Sequence, residues 1–419
     1  RCGDVQEEVL TPLMQRLARP LPVLLGTLFH DIGKGSGKDH SLRGAEIAAE
    51  ACTRMGLDPA DAADIEWLVA KHLRMASIAQ RRDLSDPDLI HAFAEEVGTV
   101  GRLDALYLLT YADISTVGPR TWTDWKARLL RELWEKTRAV LERGERRPDP
   151  GKAEAAGREL VAAALAGHGH GAPPAELERF VQAMPARYFL TVSPSEAPRH
   201  FRLLQLGRDR PLGAVVRQHR AHGYTELHLT ARDRPGLLAT VAGVLAANRI
   251  DIRHAEVFST EEDPALDWLS GRALDVFEVR GPDEQPLEPA RWRAARADLA
   301  RVLAGDEPLD ALMARRLRAS GLPEKPLPQV PTKVVIDNES ARTHSVVDVF
   351  TADRVGLLHT LARTFFDLGI TVDLARITTE GHRAADAFYV RTGEGDRLEG
   401  ETARQVVEAI TEAVTRLDR

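Results

Sequence analysis

The pattern of apolar and polar positions changes once along the chain, at about residue 223. Before that point apolar residues recur every three to four positions, a spacing that predicts amphipathic helices. The clearest is Leu21–Ile32, followed by a helix over Leu42–Met55 with Ser41 as its predicted N-cap and Gly56 as its predicted stop. Further helices are predicted over Asp61–Ala76, from Asp86-Pro87 onward, over Arg102–Ile114 and over Trp122–Arg143. Residues 1 to about 143 are therefore predicted to form an all-helical block.

Residues 146–222 form a second region. A polar break at Arg146–Pro150 is followed by an alanine-rich, helical pattern that continues to residue 222. Two interruptions, His168-Gly169-His170-Gly171 and Pro173-Pro174, predict loops because glycine and proline break helices. The two histidines are candidates for a metal site, but their glycine and proline neighbours favour a loop. We interpret 146–222 as a helical linker region.

Strand patterning begins at Tyr224. Thr225–Ala231 alternates apolar and polar residues, as a half-buried strand does. An internal repeat follows: Asp233–Val257 (DRPGLLATVAGVLAANRIDIRHAEV) matches Asp353–Ile377 (DRVGLLHTLARTFFDLGITVDLARI) at a spacing of 120 residues. A repeat at a fixed spacing indicates two copies of one structural unit.

Each copy has the same order of elements. A strand precedes the repeat, which continues as helix and strand, and a strand of the form Asp-x-Phe-x-Val follows at Asp275–Val279 and at Asp386–Val390. A second helix is predicted at 289–304 and at 399–416. Lys333–Asp337 is the predicted last strand of the first copy, whereas the second copy shows no obvious last strand. The predicted fold class is multidomain: an all-α domain followed by two α+β, ferredoxin-like βαββαβ domains.

Composition narrows the class of protein. The 419 residues are 43% hydrophobic and 28% charged, as in soluble globular domains, and the net charge of −7 argues against nucleic-acid binding. The basic stretch Arg143–Arg147 contains Glu145 and is interpreted as a solvated helix end. No apolar run approaches the roughly 20 residues that span a membrane. Cys2 and Cys52 form no Cys-x-x-Cys pair, so we predict no disulfide framework, no zinc knuckle and a reducing, cytoplasmic setting.

An adjacent histidine and aspartate, His30-Asp31, end the first clear helix, within Leu24–His40 (LLGTLFHDIGKGSGKDH). A buried carboxylate is costly unless it is paired or bound to a cation. Neighbouring residues on a helix point about 100° apart, so both side chains reach one site only near a helix end or across a shared cavity. Asp113 is a second unusual acid because the rest of its helix face is apolar, although an arginine could pair with it instead of a metal. A divalent metal would be a partner for these residues.

Three more polar residues are candidates for the same site. His72 shares a face with Leu68 and Val69, where an ordinary core histidine is the more frequent outcome. His40 lies at the end of a glycine-rich stretch and is either a ligand or a plain loop residue. Lys34 is either a phosphate contact or a solvated lysine. Imidazole and carboxylate ligands suit Mn, Fe, Zn, Co or Mg without selecting sharply among them.

The His-Asp pair with a distant aspartate resembles the pattern His…His-Asp…Asp of the HD superfamily of metal-dependent phosphohydrolases. The resemblance implies that His30, Asp31 and Asp113 bind a divalent metal, with Mg or Mn first and Fe, Co or Zn as alternatives. We assign catalytic or second-metal roles to Lys34, His40 and His72. The family's first histidine has no counterpart among residues 1–29, and we expect a missing N-terminal segment.

Most of the chain resembles the bacterial bifunctional uridylyltransferase/uridylyl-removing enzymes more specifically. The matching segments are residues 28–48, 79–99, 111–134 and 184–205, and the repeated units resemble the tandem ACT domains of that family. The resemblance implies removal of UMP from the uridylylated PII signal protein, with glutamine as effector; the intact family protein also transfers UMP from UTP to PII. No Gly-Ser followed by paired aspartates marks a nucleotidyltransferase domain here. The implied domains are an HD domain at 1–145, the linker region at 146–222, and ACT domains at 223–340 and 341–419.

The repeated Asp-Arg-x-Gly-Leu turns are the candidate effector sites. Glycine lets the backbone approach a ligand closely, and the following helix N-terminus can hold a carboxylate. The alternative is a plain tight turn. The predicted glutamine-binding residues are Asp233, Arg234, Gly236, Leu237, Asp353, Arg354, Gly356 and Leu357.

Two other functions compete with this interpretation. Hydrolases of (p)ppGpp also combine HD and ACT domains, but two tandem ACT copies and the lack of a connecting TGS-like domain argue against that class. The other alternative is a glutamine sensor whose metal site is catalytically dead.

Overall fold

The computed structural model describes residues 3–35, 39–116, 122, 124–144, 150–168, 172–283, 285–320, 330–380 and 383–417. The chain divides into two compact units, Arg1–Pro148 and Asp149–Arg419. Residues 169–171 of the predicted histidine-containing loop, Cys2 and most of the Arg143–Arg147 stretch lie outside the described residues. None of the described helices is both long and apolar enough to cross a membrane.

The first unit is helical throughout its described residues, as the sequence predicts. Its helices are α1 (Gly3–Arg16), α2 (Leu21–Phe29), α3 (His40–Met55), α4 (Pro59–Lys71), α5 (Arg74–Arg81), α6 (Pro87–Val97), α7 (Val100–Thr116) and α8 (Asp124–Arg143). One core lies between α7, α5, α6 and α8, and a smaller one lies between α2, α3 and α4. The smaller core is built from small side chains such as Ala45, Ala48 and Cys52, which lets these helices approach closely.

Two helix boundaries differ from the prediction. Asp39, not Ser41, caps α3, because its carboxylate accepts hydrogen bonds from the backbone N–H groups of Ser41 and Leu42. The predicted helix Asp61–Ala76 is two helices, and α4 ends with His72 as its C-cap. Gly56 ends α3 in the left-handed conformation with φ of 64°, as predicted.

The second unit combines helices with one antiparallel sheet. Its helices are α9 (Pro150–His168), α10 (Pro174–Ala183), α11 (Ala186–Thr191), α12 (Ala197–Gly207), α13 (Leu237–Ala247), α14 (Pro289–Ala304), α15 (Leu309–Ser320), α16 (Leu357–Asp367) and α17 (Gly400–Leu417). Its strands are β1 (Gly213–His219), β2 (Tyr224–Arg232), β3 (Asp251–Ser259), β4 (Arg272–Arg280), β5 (Lys333–Asp337), β6 (Ser345–Ala352), β7 (Ile370–Arg376), β8 (Thr379–Glu380) and β9 (Arg383–Thr392). The predicted fold class is confirmed.

The two sequence repeats form one continuous sheet. The strand order is β1-β2-β4-β3-β7-β9-β6-β5, with β8 paired to β9. Strands β3 and β7 join the copies through an antiparallel pairing that sets His254 opposite Arg376. Helices α13 and α16 pack against each other, and a shared apolar core lies beneath them.

The outer strand of each copy comes from the segment before it, which corrects the sequence prediction. Lys333–Asp337 (β5) pairs with β6 and therefore belongs to the second copy, not to the end of the first. In the same way Gly213–His219, predicted to be helical, is a strand paired with β2. Two antiparallel neighbouring strands need only a short connection. In each copy the strand that precedes the repeat therefore pairs as a hairpin with the first strand, at the edge where the predicted last strand of the βαββαβ unit would lie.

The region predicted as a helical linker packs against the first copy. Aromatic side chains of α10, α11 and α12, among them Phe180, Tyr188 and Phe201, form a core with Phe258 of β3 and Leu274 of β4. This face of the sheet is therefore covered by helices α9–α12, which form part of the second unit.

Candidate metal centre

Three helix ends meet in the first unit. His30 is the C-cap of α2 and Asp31 lies in the turn after it, His40 begins α3, and His72 is the C-cap of α4. Helices α2 and α4 lie close together because α2 carries Gly26, where a Cβ would come within 3.2 Å of the Leu68 side chain. Gly26 therefore lets α2 and α4 pack closely, so that the helix ends that carry His30 and His72 lie together.

His30 lies between the two carboxylates that the sequence singles out. Its Nε2 is 3.3 Å from an oxygen of Asp31 and 3.4 Å from an oxygen of Asp113. Asp113 reaches this position from α7, whose preceding turns bury Leu109 and Leu106. The three predicted ligands are therefore neighbours, although Asp113 lies far along the chain.

Backbone carbonyls set the orientation of two imidazoles. Nδ1 of His30 lies 2.7 Å from the carbonyl oxygen of Thr27, and Nδ1 of His72 lies 2.7 Å from that of Val69. A carbonyl only accepts, so each Nδ1 carries the proton and donates it. With Nδ1 engaged in this way, Nε2 of each ring is the nitrogen that faces the site, which is the arrangement typical of metal-bound histidine.

His72 is the most buried member of the group, with 1% of its surface exposed. Among the described residues its Nε2 has no hydrogen-bond partner. Burial lowers the pKa of His72, so the ring stays neutral. A buried nitrogen without a partner is costly, and a cation would satisfy it.

Asp31 lies between a lysine and the histidines. Its carboxylate accepts a hydrogen bond of 2.6 Å from Lys34 Nζ, and its other oxygen is 3.9 Å from Nε2 of His40. Partial burial acts to raise the pKa of Asp31, but Lys34 and His30 outweigh it and lower the pKa. Asp31 is therefore ionised at neutral pH.

Five side chains together form a mixed set of nitrogen and oxygen donors that fits a divalent cation: His30, Asp31, His40, His72 and Asp113. Ligand atoms of Asp31, His40 and His72 all lie within 4.8 Å of one another. His30 and Asp113 lie directly beside this group. The structure thus brings His40 and His72 into the same site as the predicted ligands, with Lys34 at its exposed edge.

Comparison with known proteins agrees with this geometry. Residues 11–108 match the HD domain family and residues 225–288 match the ACT domain family. The bifunctional uridylyltransferase/uridylyl-removing enzyme of Rhodospirillum rubrum is 34% identical over 396 residues, 93% of this chain and 41% of that protein. That of Nitrobacter winogradskyi is 34% identical over 412 residues, 97% of this chain and 43% of the relative. The chain belongs to this family of HD- and ACT-domain proteins.

The similarity covers almost all of this chain but only part of each relative. The Azospirillum brasilense enzyme, 35% identical over 394 residues, shows the same proportions, 92% of this chain and 40% of its own length. The chain thus spans about two fifths of the length of these relatives. No solved structure matches the chain significantly.

The two ACT-type turns have the same conformation. Gly236 and Gly356 take positive φ angles of 76° and 86°, and the N–H of the leucine after each glycine bonds the carbonyl of the arginine three residues before it. Glycine is needed at this turn position because L-residues avoid positive φ. Both leucines, Leu237 and Leu357, are buried in the core, so their side chains anchor the turn.

The turn arginines contact the following helix of their own copy. Arg234 donates to the carbonyl of Leu303 at the end of α14, and Arg354 donates to that of Leu417 at the end of α17. Each guanidinium thus ties the turn to a helix C-terminus. Asp233 and Asp353 come directly after β2 and β6, at the sheet ends.

A buried polar cluster in the second unit was not predicted from the sequence. His200 and His228, each 2% exposed, lie side by side with Nε2 of the first 2.9 Å from Nδ1 of the second. The Tyr188 hydroxyl is 2.9 Å from Nδ1 of His200, and Glu226 is 3.1 Å from Nε2 of His228. The alternating pattern of Thr225–Ala231 predicts a solvent-facing position for His228, whereas β2 is buried on both faces.

Proposed function

We propose that the chain hydrolyses a phosphodiester at its HD site, in line with the name of its relatives as uridylyl-removing enzymes, and that its substrate is uridylylated PII, from which it releases UMP. Two observations carry this proposal. His30 lies beside Asp31 and Asp113, and Asp31 in turn groups with His40 and with His72, whose buried Nε2 has no partner among the described residues. We propose an HD domain over 1–145 and two ACT domains in a cytoplasmic protein, and we move the starts of the ACT domains from residues 223 and 341 to the outer strands β1 at Gly213 and β5 at Lys333.

The five donors would hold the divalent cation, with Mg²⁺ or Mn²⁺ as the first candidates. When bound, such a cation would neutralise charge on the phosphoryl oxygens and make a water molecule more acidic. Backbone carbonyls fix the rings of His30 and His72, so these side chains need no reorganisation to bind. Lys34, whose side chain is 63% exposed, would contact a non-bridging phosphate oxygen.

We propose further that glutamine regulates this activity through the ACT turns. The turns at Gly236 and Gly356 lie at the N-termini of α13 and α16, where backbone N–H groups favour a carboxylate. Behind each turn a carboxyl group is buried: Asp275 in β4 and Asp386 in β9, 2% and 1% exposed. Glutamine carries both the carboxylate and the ammonium group that such a pair of features would bind.

The decisive experiment measures UMP release from uridylylated PII together with the metal content of the protein. Asp113→Asn should lower both, because the carboxylate beside His30 is lost. Asp61→Asn is the matched control, since Asp61 pairs with Arg19 elsewhere in the same unit. UMP release that does not need Mg²⁺ or Mn²⁺, or that Asp113→Asn leaves unchanged, would contradict the proposal. Hydrolysis of (p)ppGpp in place of uridylylated PII would support the rival function.

A further inference from the structure

The buried polar cluster of the second unit has the composition of a metal site. Glu196, in the 3-10 turn Pro194–Glu196, joins His200 of α12 and His228 of β2. Ligand atoms of these three residues all lie within 4.8 Å of one another. We propose that Glu196, His200 and His228 bind a divalent transition metal of the Zn²⁺ class and that this ion fastens α12 to the ACT sheet.

The outer nitrogen of each ring faces a group of the kind found behind metal-bound histidines. Nδ1 of His200 lies 2.9 Å from the Tyr188 hydroxyl, which leaves Nε2 facing His228. Nε2 of His228 lies 3.1 Å from a carboxylate oxygen of Glu226, which leaves Nδ1 facing His200. A carboxylate behind a ligating imidazole fixes its orientation and raises its basicity.

Without a cation, one polar atom of the cluster, Nε2 of His228, lacks a hydrogen-bond partner among the described residues. Although Glu226 is near in distance, Nε2 of His228 is not aligned for a hydrogen bond and has no other partner among the described residues. The His200 ring packs edge-on against Tyr188, whose own ring contacts Phe180 and Phe258, and polar atoms without partners are costly in such surroundings. A small rotation of the His228 ring would align Nε2 with Glu226 and direct Nδ1 at a shared ion.

The spacing and chemistry select the class of ion. Two nitrogens bound tetrahedrally at about 2.0–2.1 Å stand about 3.3 Å apart, so the 2.9 Å pair needs to open by only a few tenths of an ångström. Two imidazoles and one carboxylate are a usual Zn²⁺ set and an unusual one for Mg²⁺ or Ca²⁺. Glu196 is partly exposed and gives the site access to solvent. At present Arg199 and Arg217 neutralise Glu196, and the ion would compete with them.

The test uses the full chain, stripped with a chelator and titrated with Co²⁺ and then Zn²⁺. Retained metal is measured after desalting, and the visible absorption of Co²⁺ reports its ligands. The parent should retain one equivalent that His200→Gln and His228→Asn lose. His222→Asn, which removes an exposed histidine from the same unit, should keep it. His72→Asn should also keep it, which separates this equivalent from any ion at the HD site.

A milder variant keeps the proposal testable if a buried substitution unfolds the unit. Glu196→Gln lies at the rim and should weaken Zn²⁺ binding by at least about tenfold. Saturating Zn²⁺ should raise the unfolding temperature of the parent by about 5 °C and that of Glu196→Gln by less. Equal metal retention by the parent, His228→Asn and Glu196→Gln would overturn the proposal.

Discussion

Gly33 lies directly against Gly44, so that a Cβ on Gly33 would stand 2.6 Å from the backbone nitrogen of Gly44 and closer still to the carbonyl oxygen of His40. The contact presses the turn after α2 onto the first turn of α3. Because Asp31 precedes Gly33 by two residues and His40 begins α3, the same contact sets the distance between these two side chains.

Gly33→Ala should therefore damage the HD site without touching any proposed ligand. The new methyl group cannot fit unless the turn and α3 separate, and overpacking of this kind costs about 1–3 kcal/mol. We expect lower metal affinity and lower thermal stability, measured by metal titration and calorimetry.

Gly101→Ala is the matched control for that substitution. A Cβ at Gly101 in α7 meets nothing within 4 Å, and alanine favours helix by up to about 1 kcal/mol over glycine. This variant should keep parental metal affinity. A Gly33→Ala protein that binds metal like the parent would show that the glycine contact does not position Asp31 and His40.

The limits of prediction from sequence are visible in particular residues. The proximity of His30 and Asp113 follows from chemistry, since two polar residues on apolar faces need a common partner. The end of α4 at His72 was missed, because Lys71-His72-Leu73 contains no glycine or proline and the neighbouring ion pairs of Lys71 and Arg74 with Glu96 are tertiary.

The outer strands show the same limit. The apolar run in Gly213–His219 is too short to separate helix from strand by periodicity, and only its pairing with β2 decides. The position of β5 depends likewise on β6, a partner that periodicity does not identify. Roles of the individual site residues remain predictions.

Lys34→Met should separate metal binding from substrate binding. Lys34 neutralises Asp31 and so competes with a cation, but the pair is largely exposed and weak. We expect metal affinity to stay equal or to rise by up to about fivefold, while kcat/KM for uridylylated PII falls because a phosphate contact is lost. A matched loss of metal affinity would instead make Lys34 part of the structure that holds the ion.

His200 should make the second unit sensitive to acid. Burial, followed by His228, lowers the pKa of His200 to about 3, against about 6.5 in an unfolded chain. Between about pH 3 and pH 6.5 the His200 side chain is protonated in the unfolded chain but not in the folded chain. Its contribution to the free energy of unfolding therefore falls as pH falls, by about 1.4 kcal/mol per pH unit. Urea denaturation of chelator-treated protein should show this contribution as the difference between the pH slopes of the parent and of His200→Gln.

The pH range for that measurement is set by Glu226. Burial acts to raise its pKa, but His228 and His219 outweigh burial and lower it to about 2, so its own contribution begins to change below about pH 4.5. From about pH 6.5 to about pH 5 the difference in slope between the parent and His200→Gln therefore reports on His200, because Asp275 and Asp386 contribute slopes of the opposite sign equally to both proteins. His222→Gln is the control, and an unchanged slope in His200→Gln would assign the acid sensitivity to other groups.

Asp275 and Asp386 offer the sharpest test of effector binding, because they hold the same position in the two copies. Burial, with Asp233 nearby, raises the pKa of Asp275 well above its usual range, and burial with Asp353 and Asp251 does the same for Asp386. Above about pH 4 the unfolded chain has released this proton while the folded chain keeps it, so stability falls as pH rises. Asp275→Asn and Asp386→Asn should each raise the stability at pH 7 and flatten its pH dependence.

Asp275→Asn and Asp386→Asn should also weaken the binding of glutamine if the two carboxyl groups face its ammonium group. Binding of the ammonium would then release the carboxyl proton to solvent, and an asparagine amide cannot supply the resulting carboxylate, so affinity should fall by about tenfold or more. Calorimetric titration of the full chain with glutamine measures this, and Asp367→Asn, which changes an exposed carboxylate of α16, is the control. A stabilised protein with parental glutamine affinity would place the effector away from β4 and β9. Loss of binding in only one of the two variants would identify which ACT copy carries the site, because the turns themselves are alike.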